Sequence, residues 1–80
     1  MKIPVIKLIA SQHSIKELDA AEEAILNEEN PAIQIEGEDE GEQLTHIMAA
    51  REIRTQMEKD GIDLNRALRN YTLRVRNSIS

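Results

Sequence analysis

A capping box formed by Ser14 and Glu17 is the feature that most constrains how this chain can fold. In such a box a serine hydroxyl and a glutamate carboxylate, three residues apart, accept hydrogen bonds from backbone N–H groups that a helix start leaves free. Pro31 sets the other limit, because the residue before a proline avoids helical backbone angles. The two signals predict a helix over residues 15–29.

A second pair of signals divides the C-terminal half of the chain. Gly61 suits the left-handed position that follows a helix, and Asp63 suits the N-cap of the next one. The apolar pattern on each side predicts helices over residues 42–60 and 64–78. Because only two or three residues join them, these helices should form an αα-hairpin.

Apolar residues recur at helical spacing and mark the faces that should be buried. In the helix over residues 15–29 the apolar face consists of Ile15, Leu18, Ala21, Ile25 and Leu26. In the last helix it consists of Leu64, Ala67, Leu68, Tyr71, Val75 and Ile79. Both faces are continuous enough to pack against neighbouring helices.

The first segment, residues 3–10, fits two structures. Pro4 suits the first turn of a helix, but four of the seven residues over 3–9 are β-branched, which favours a strand. As a strand it would join residues 32–36 in a βαβ unit of an α+β domain. As a helix it gives a mostly α fold, a single domain over residues 1–80 with three or four helices and the C-terminal hairpin. We favour the helix.

Composition limits the size of the core. The 80 residues include no cysteine and one aromatic residue, Tyr71. A chain this short buries only roughly 60–65% of its unfolded surface, so we expect it to gain burial as a homo-oligomer, most simply a homodimer. No stretch approaches the roughly 20 apolar residues of a membrane span, and the apolar run at the start is too short for a signal peptide. We therefore expect a cytoplasmic protein that does not enter a membrane.

Charge is strongly segregated along the sequence. Residues 17–42 hold eleven carboxylates and no lysine or arginine, whereas residues 64–80 hold four arginines and no acid. The loop between Gly37 and Gly41 should expose its acids, and the last helix should place arginines opposite its apolar stripe. This pattern indicates a small binding or structural module that pairs with a second copy or another protein. The interaction residues would be Arg66, Arg69, Arg76, Glu38, Asp39 and Glu40.

Glu42 and His46 lie one helical turn apart and, with Glu22, form the candidate metal site of the sequence. Carboxylate-bridged di-metal bundles use a related Glu-x-x-His spacing, one residue shorter than this one. The other interpretation is a buried polar cluster of Glu22, His46 and Tyr71, since all three lie on or beside apolar stripes and buried polar groups are hydrogen-bonded. A metal-binding helical protein is therefore an alternative function.

Other chemistries have little support in the sequence. Arginines at helical spacing could contact phosphates, but the rest of the chain is acidic and offers no aromatic platform for bases, which weighs against nucleic acid. No nucleophile lies at a useful spacing from a base, and no glycine-rich phosphate loop is present. We predict neither an enzymatic activity nor a cofactor.

Two stretches of the chain resemble a known family. The initial MKIPVIK and the central GEDEGEQLTH over residues 37–46 are similar to a family of small uncharacterised bacterial proteins. The resemblance covers most of the chain. It implies a small cytosolic domain of unknown function and carries no catalytic residues.

Overall fold

Four helices make up the structure, a computed structural model that describes the backbone of residues 2–79 and the side chains of residues 2–77. They are α1 (Ile3–Gln12), α2 (Ile15–Leu26), α3 (Glu40–Asp60) and α4 (Leu64–Ile79). The described residues contain no strand, so the predicted mostly α fold is confirmed and the α+β alternative is wrong. None of the described helices combines the length and the apolar character needed to cross a membrane.

The first segment is a helix because its β-branched residues can bury one helical face. Val5, Ile6 and Ile9 are buried in α1, at the spacing that places side chains on one side of a helix. Pro4 lies in the first turn, where its missing N–H costs no hydrogen bond. Ile35, from the second predicted strand, lies in the segment that connects α2 and α3, and its side chain is buried. Burial therefore outweighs the β-propensity of these residues.

The capping box at the start of α2 forms as predicted. The Glu17 backbone N–H donates to the Ser14 hydroxyl, and the Ser14 N–H donates to the Glu17 carboxylate. The Ser14 backbone and then the His13 ring hold the pKa of Glu17 below its ordinary value of 4.5. Because the lowered pKa belongs to the folded state, this carboxylate stabilises the protein above pH 4.5, and the contribution is lost as the pH falls through the lowered pKa.

α2 ends at Leu26, three residues before the predicted end. The backbone N–H groups of Glu28 and Glu29 donate to carbonyls in the last turn, and Glu28 adopts a positive φ of 60°. This arrangement is a Schellman motif, which satisfies carbonyls that a helix end leaves free. The helix predicted over residues 15–29 was therefore too long, because the chain turns out of the helix at Glu28, before it reaches Pro31. Leu26, expected on the buried face, is 62% exposed.

The αα-hairpin is confirmed, with one boundary displaced. Gly61 follows α3 with a φ of 64°, and the Asp63 carboxylate accepts a hydrogen bond from an N–H in the first turn of α4. α3 begins at Glu40, two residues earlier than predicted. The reason is the Asp39 carboxylate, which caps the helix by accepting a hydrogen bond from the Glu42 N–H at 2.7 Å.

α3 is the centre of the packing. It contacts each of the other helices, α1 also contacts α4, and within the described residues α2 packs on no helix but α3. α1 runs parallel to α3, since Lys2 is bonded to His46 and the Ala10 carbonyl accepts a hydrogen bond from Arg54, eight residues further along α3. The largest fully buried side chains are those of Ile6, Leu18, Ile47, Ile53 and His46.

Candidate interaction surface

His46 is fully buried and holds three parts of the chain together. Its Nε2 accepts a hydrogen bond from the Lys2 backbone N–H at 3.0 Å, and its Nδ1 lies 2.8 Å from the Glu36 carbonyl oxygen. A ring nitrogen that accepts a hydrogen bond carries no proton, so the ring is neutral and its Nδ1–H donates to Glu36. The ring thereby joins α1, α3 and the segment between α2 and α3.

The candidate metal ligands do not meet. Both nitrogens of His46 are used by backbone groups, and Glu42 Oε1 lies 3.9 Å from Nε2 without a hydrogen bond. Glu22 instead forms an ion pair with Arg51, with 2.6 Å between Oε2 and Nη1, at an angle that does not make a hydrogen bond. No group of three or more histidine or carboxylate side chains in the described residues could hold a metal ion. The predicted ligand set is therefore not assembled.

Tyr71 lies apart from the predicted polar cluster. It is half-buried on α4, where the Arg74 guanidinium lies over its ring, 5.8 Å from the centroid. Burial raises the pKa of the Tyr71 hydroxyl above its ordinary value of 10.0; the Glu52 carboxylate adds to this effect and Arg74 opposes it. Because Glu22 and His46 have the separate partners described above, the expected cluster of the three side chains does not form.

Arg66, Arg69 and Arg76 share the side of α4 that points away from the core. The apolar stripe of α4, in which Ala67 is buried, marks the inner side of the helix, and the three exposed arginines lie on the opposite side. None of them forms an ion pair with a described residue. Leu73 lies among them and is 44% exposed. These three arginines and Leu73 are the arginine face.

The acids just before α3 form a second charged surface, the acidic segment of residues 36–40. The side chains of Glu36, Glu38 and Glu40 are exposed, and across the described part of the chain none has an ion-pair partner. Asp39 differs, because its carboxylate caps α3. Carboxylates are also favoured here because the N-terminal end of a helix carries a partial positive charge.

A match to a family model covers the whole chain. The model, described as "Family of unknown function (DUF6952)", matches residues 1–80. The chain belongs to this family. Comparison with curated proteins and comparison with solved structures each give no match. The predicted resemblance to an uncharacterised family is confirmed, and membership assigns no activity to any residue.

A groove of ≈ 480 Å³ lies on the outer side of α3, next to α4, in this DUF6952 protein. Its lining includes Tyr71 and Met48, which is 48% exposed. The charged residues of the lining, Arg51 and Glu52, are both paired within the chain. The groove therefore offers no unpaired charge that would select a partner, in contrast to the arginine face.

The sequence pattern predicts the charged residues of the arginine face and misses its apolar residue. Arg66, Arg69 and Arg76 are exposed as predicted, whereas Leu73 falls outside the predicted apolar stripe. Its positions four residues after Arg69 and three before Arg76 are the signal that could have found it. The partners of His46 leave no such signal, because they are backbone groups, which every residue carries.

Proposed function

We propose that this protein is a small binding or structural module that associates with a second copy of itself through the outer side of α4. The observation that carries the proposal is the exposed Leu73 among three arginines that lack ion-pair partners in the described residues. Protein contact surfaces commonly have an apolar centre within a polar rim. The arginine face has this composition on a small scale.

The inner side of α4 is also only partly covered. In the apolar stripe of this helix Ala67 is buried, while Leu64, Leu68, Tyr71 and Val75 are only half-buried. Covering more apolar surface stabilises a small domain, at roughly 25 cal/mol per Å² removed from water. A second copy would supply such burial, which supports self-association.

A second copy is the partner that the charges favour. The chain carries arginines on α4 and carboxylates in the acidic segment that form no ion pair among the described residues. The arginines of one copy can therefore pair with the carboxylates of the other. Exposed ion pairs contribute only roughly 0.2–1 kcal/mol each, so apolar contacts must supply much of the affinity. We therefore expect a weak dimer, with a dissociation constant above about 1 µM.

Sedimentation equilibrium tests the proposal. Over concentrations from about 1 to 500 µM, the range that brackets a weak dimer, we expect the mass to rise from one chain toward two. Leu73→Glu should raise the dissociation constant at least about tenfold, because it removes an apolar contact and places a charge where water is excluded.

Leu8→Glu is the matched control, since Leu8 lies on α1 and is 51% exposed. This variant should dimerise like the wild-type protein. A wild-type protein that stays monomeric over the whole range would refute self-association. Equal weakening by Leu8→Glu and Leu73→Glu would refute α4 as the contact.

A further inference from the structure

The structure points to a definite occupant for the arginine face. We propose that the acidic segment of a second copy docks on it, an inference that rests on the self-association proposed above. The three arginines would face the carboxylates of Glu36, Glu38 and Glu40, and Leu73 would be covered at the centre of the contact. Three features favour this docking: the rigidity of the segment, the spacing of the charges, and the absence of pairing within one chain.

The acidic segment is anchored before it meets a partner. Ile35, just before it, is buried, the Glu36 carbonyl accepts a hydrogen bond from the buried histidine of α3, and the Asp39 carboxylate caps α3. At Gly37 the backbone approaches Gln43 so closely that an added Cβ would lie 2.9 Å from the Gln43 nitrogen. A segment anchored in this way loses little conformational entropy on binding, which favours it as a docking surface.

The lengths of the two surfaces decide how their charges can meet. From Arg66 to Arg76 the helix rises about 15 Å, at about 1.5 Å per residue. The chain from residue 36 to residue 40 spans at most about 14 Å, the reach of four extended residues. Because the chain bends at residues 38 and 39, the acidic segment is shorter than the row of arginines. The long arginine side chains can turn toward it, so that the three arginines and the three carboxylates meet.

The two surfaces do not satisfy each other within one chain. The arginine face points away from the core, whereas the acidic segment is bonded to the core through His46. None of the salt bridges among the described residues joins them. In a two-fold dimer the contact would form twice, once in each direction, so every charge on both surfaces would gain a partner.

Charge reversal on each surface tests this pairing. The first variant carries Arg66→Glu, Arg69→Glu and Arg76→Glu, and the second carries Glu36→Lys, Glu38→Lys and Glu40→Lys. Each variant alone would place like charges opposite each other in both contacts, so its dissociation constant should rise at least about tenfold. An equimolar mixture of the two variants places opposite charges together in both contacts. We therefore expect the mixture to form heterodimers at concentrations where each variant alone is monomeric.

Matched controls separate specific pairing from net charge. Lys7→Glu, Lys16→Glu and Lys59→Glu change the charge as much as the first variant, and Glu28→Lys, Glu29→Lys and Glu58→Lys as much as the second. All six residues are exposed and lie outside the two surfaces. These controls should dimerise within about threefold of the wild-type protein, because exposed charges far from the contact are screened by salt. Circular dichroism verifies that each variant is folded. If a triple variant does not fold, the single variants Arg69→Glu and Glu38→Lys are used in place of the two triple variants.

Three outcomes would overturn the inference in different ways. In the first, the wild-type protein dimerises, the triple variants and their controls raise the dissociation constant equally, and the mixture forms no heterodimer. This result would refute the docking and leave self-association intact. A monomeric wild-type protein would refute both. The inference would also fail if the wild-type protein stayed monomeric and bound a random-sequence DNA duplex in a salt-dependent manner that the arginine variant lost, because phosphates would then be the partner.

Discussion

At the scale of single residues, His46 shows how a buried polar side chain can have a structural use. It is fully buried, and its two ring nitrogens bond to the Lys2 N–H and the Glu36 carbonyl, 44 residues before it and 10 residues before it. Backbone groups that are partly removed from water need a hydrogen-bond partner, and one imidazole supplies it to two of them. The geometry supports a structural role over metal binding, since neither nitrogen is left for a metal.

His46→Ala should lower the free energy of unfolding by about 2–4 kcal/mol. The substitution removes two part-buried hydrogen bonds, at about 0.5–1 kcal/mol each, and opens a cavity in the core that costs about 1–2 kcal/mol more. Urea unfolding followed by circular dichroism measures the loss. His13→Ala is the control, because that ring contacts an exposed Glu17 carboxylate and should contribute much less than His46. A loss below about 1 kcal/mol for His46→Ala would contradict the structural role.

At the scale of helices, the end of α2 contains a residue that does not suit its backbone. Glu28 has a φ of 60° at the position of the Schellman motif where glycine is most common. The left-handed region costs a residue with a Cβ roughly 1–2 kcal/mol, a cost that glycine avoids. The hydrogen bonds of the motif hold this conformation, so α2 ends here although position 28 is not a glycine.

Glu28→Gly should therefore raise the free energy of unfolding by about 0.5–1 kcal/mol, because relief of the backbone strain exceeds the added entropy of the unfolded chain. Thermal unfolding measures the change. Glu29→Gly removes the same charge one residue later, at a position without a positive φ, and should give no gain. Equal stabilisation by both substitutions would show that charge, and not backbone conformation, is responsible.

At the scale of the whole molecule, attachment to α3 decides which helices depend on one another. The Cα trace measures 32 × 28 × 17 Å, a thin body in which α3 contacts every other helix. Within the described residues α2 packs on α3 alone, and Arg51 of α3 reaches both Asp19 and Glu22 of α2. Loss of that contact should therefore loosen α2 and leave the α3–α4 hairpin in place.

Arg51→Met should increase hydrogen exchange over Ile15–Leu26 while Leu64–Ile79 keeps its protection. The expected loss of stability is about 1–3 kcal/mol, because the largely buried Glu22 carboxylate loses its cation. Arg74→Met is the matched control, since the ion pair with Glu52 is exposed on both sides and should contribute less than about 1 kcal/mol. Uniform loss of protection in both helices would contradict the dependence on α3.

Local signals predicted most of the fold, and they failed where a tertiary or backbone effect acted. The Ser14 capping box and the Gly61 turn were readable because each depends on residues within one turn of the chain. The end of α2 was misplaced because Glu28 is an unusual residue for a left-handed position. The candidate site was predicted only in part: the arginines are exposed, but the grouping of Glu22 with His46 was wrong, since helical spacing does not reveal contacts between helices.

The sequence by itself placed the last three helices to within three residues, and it determined that the acids and arginines are separated and that four arginines share the last helix. These properties are local, because capping, periodicity and charge order depend on residues near one another in the chain. Only the tertiary structure decided that His46 bonds to backbone groups and that Arg51 takes the carboxylate of Glu22. Those outcomes depend on which helices pack together, and a pattern within one helix does not contain that information.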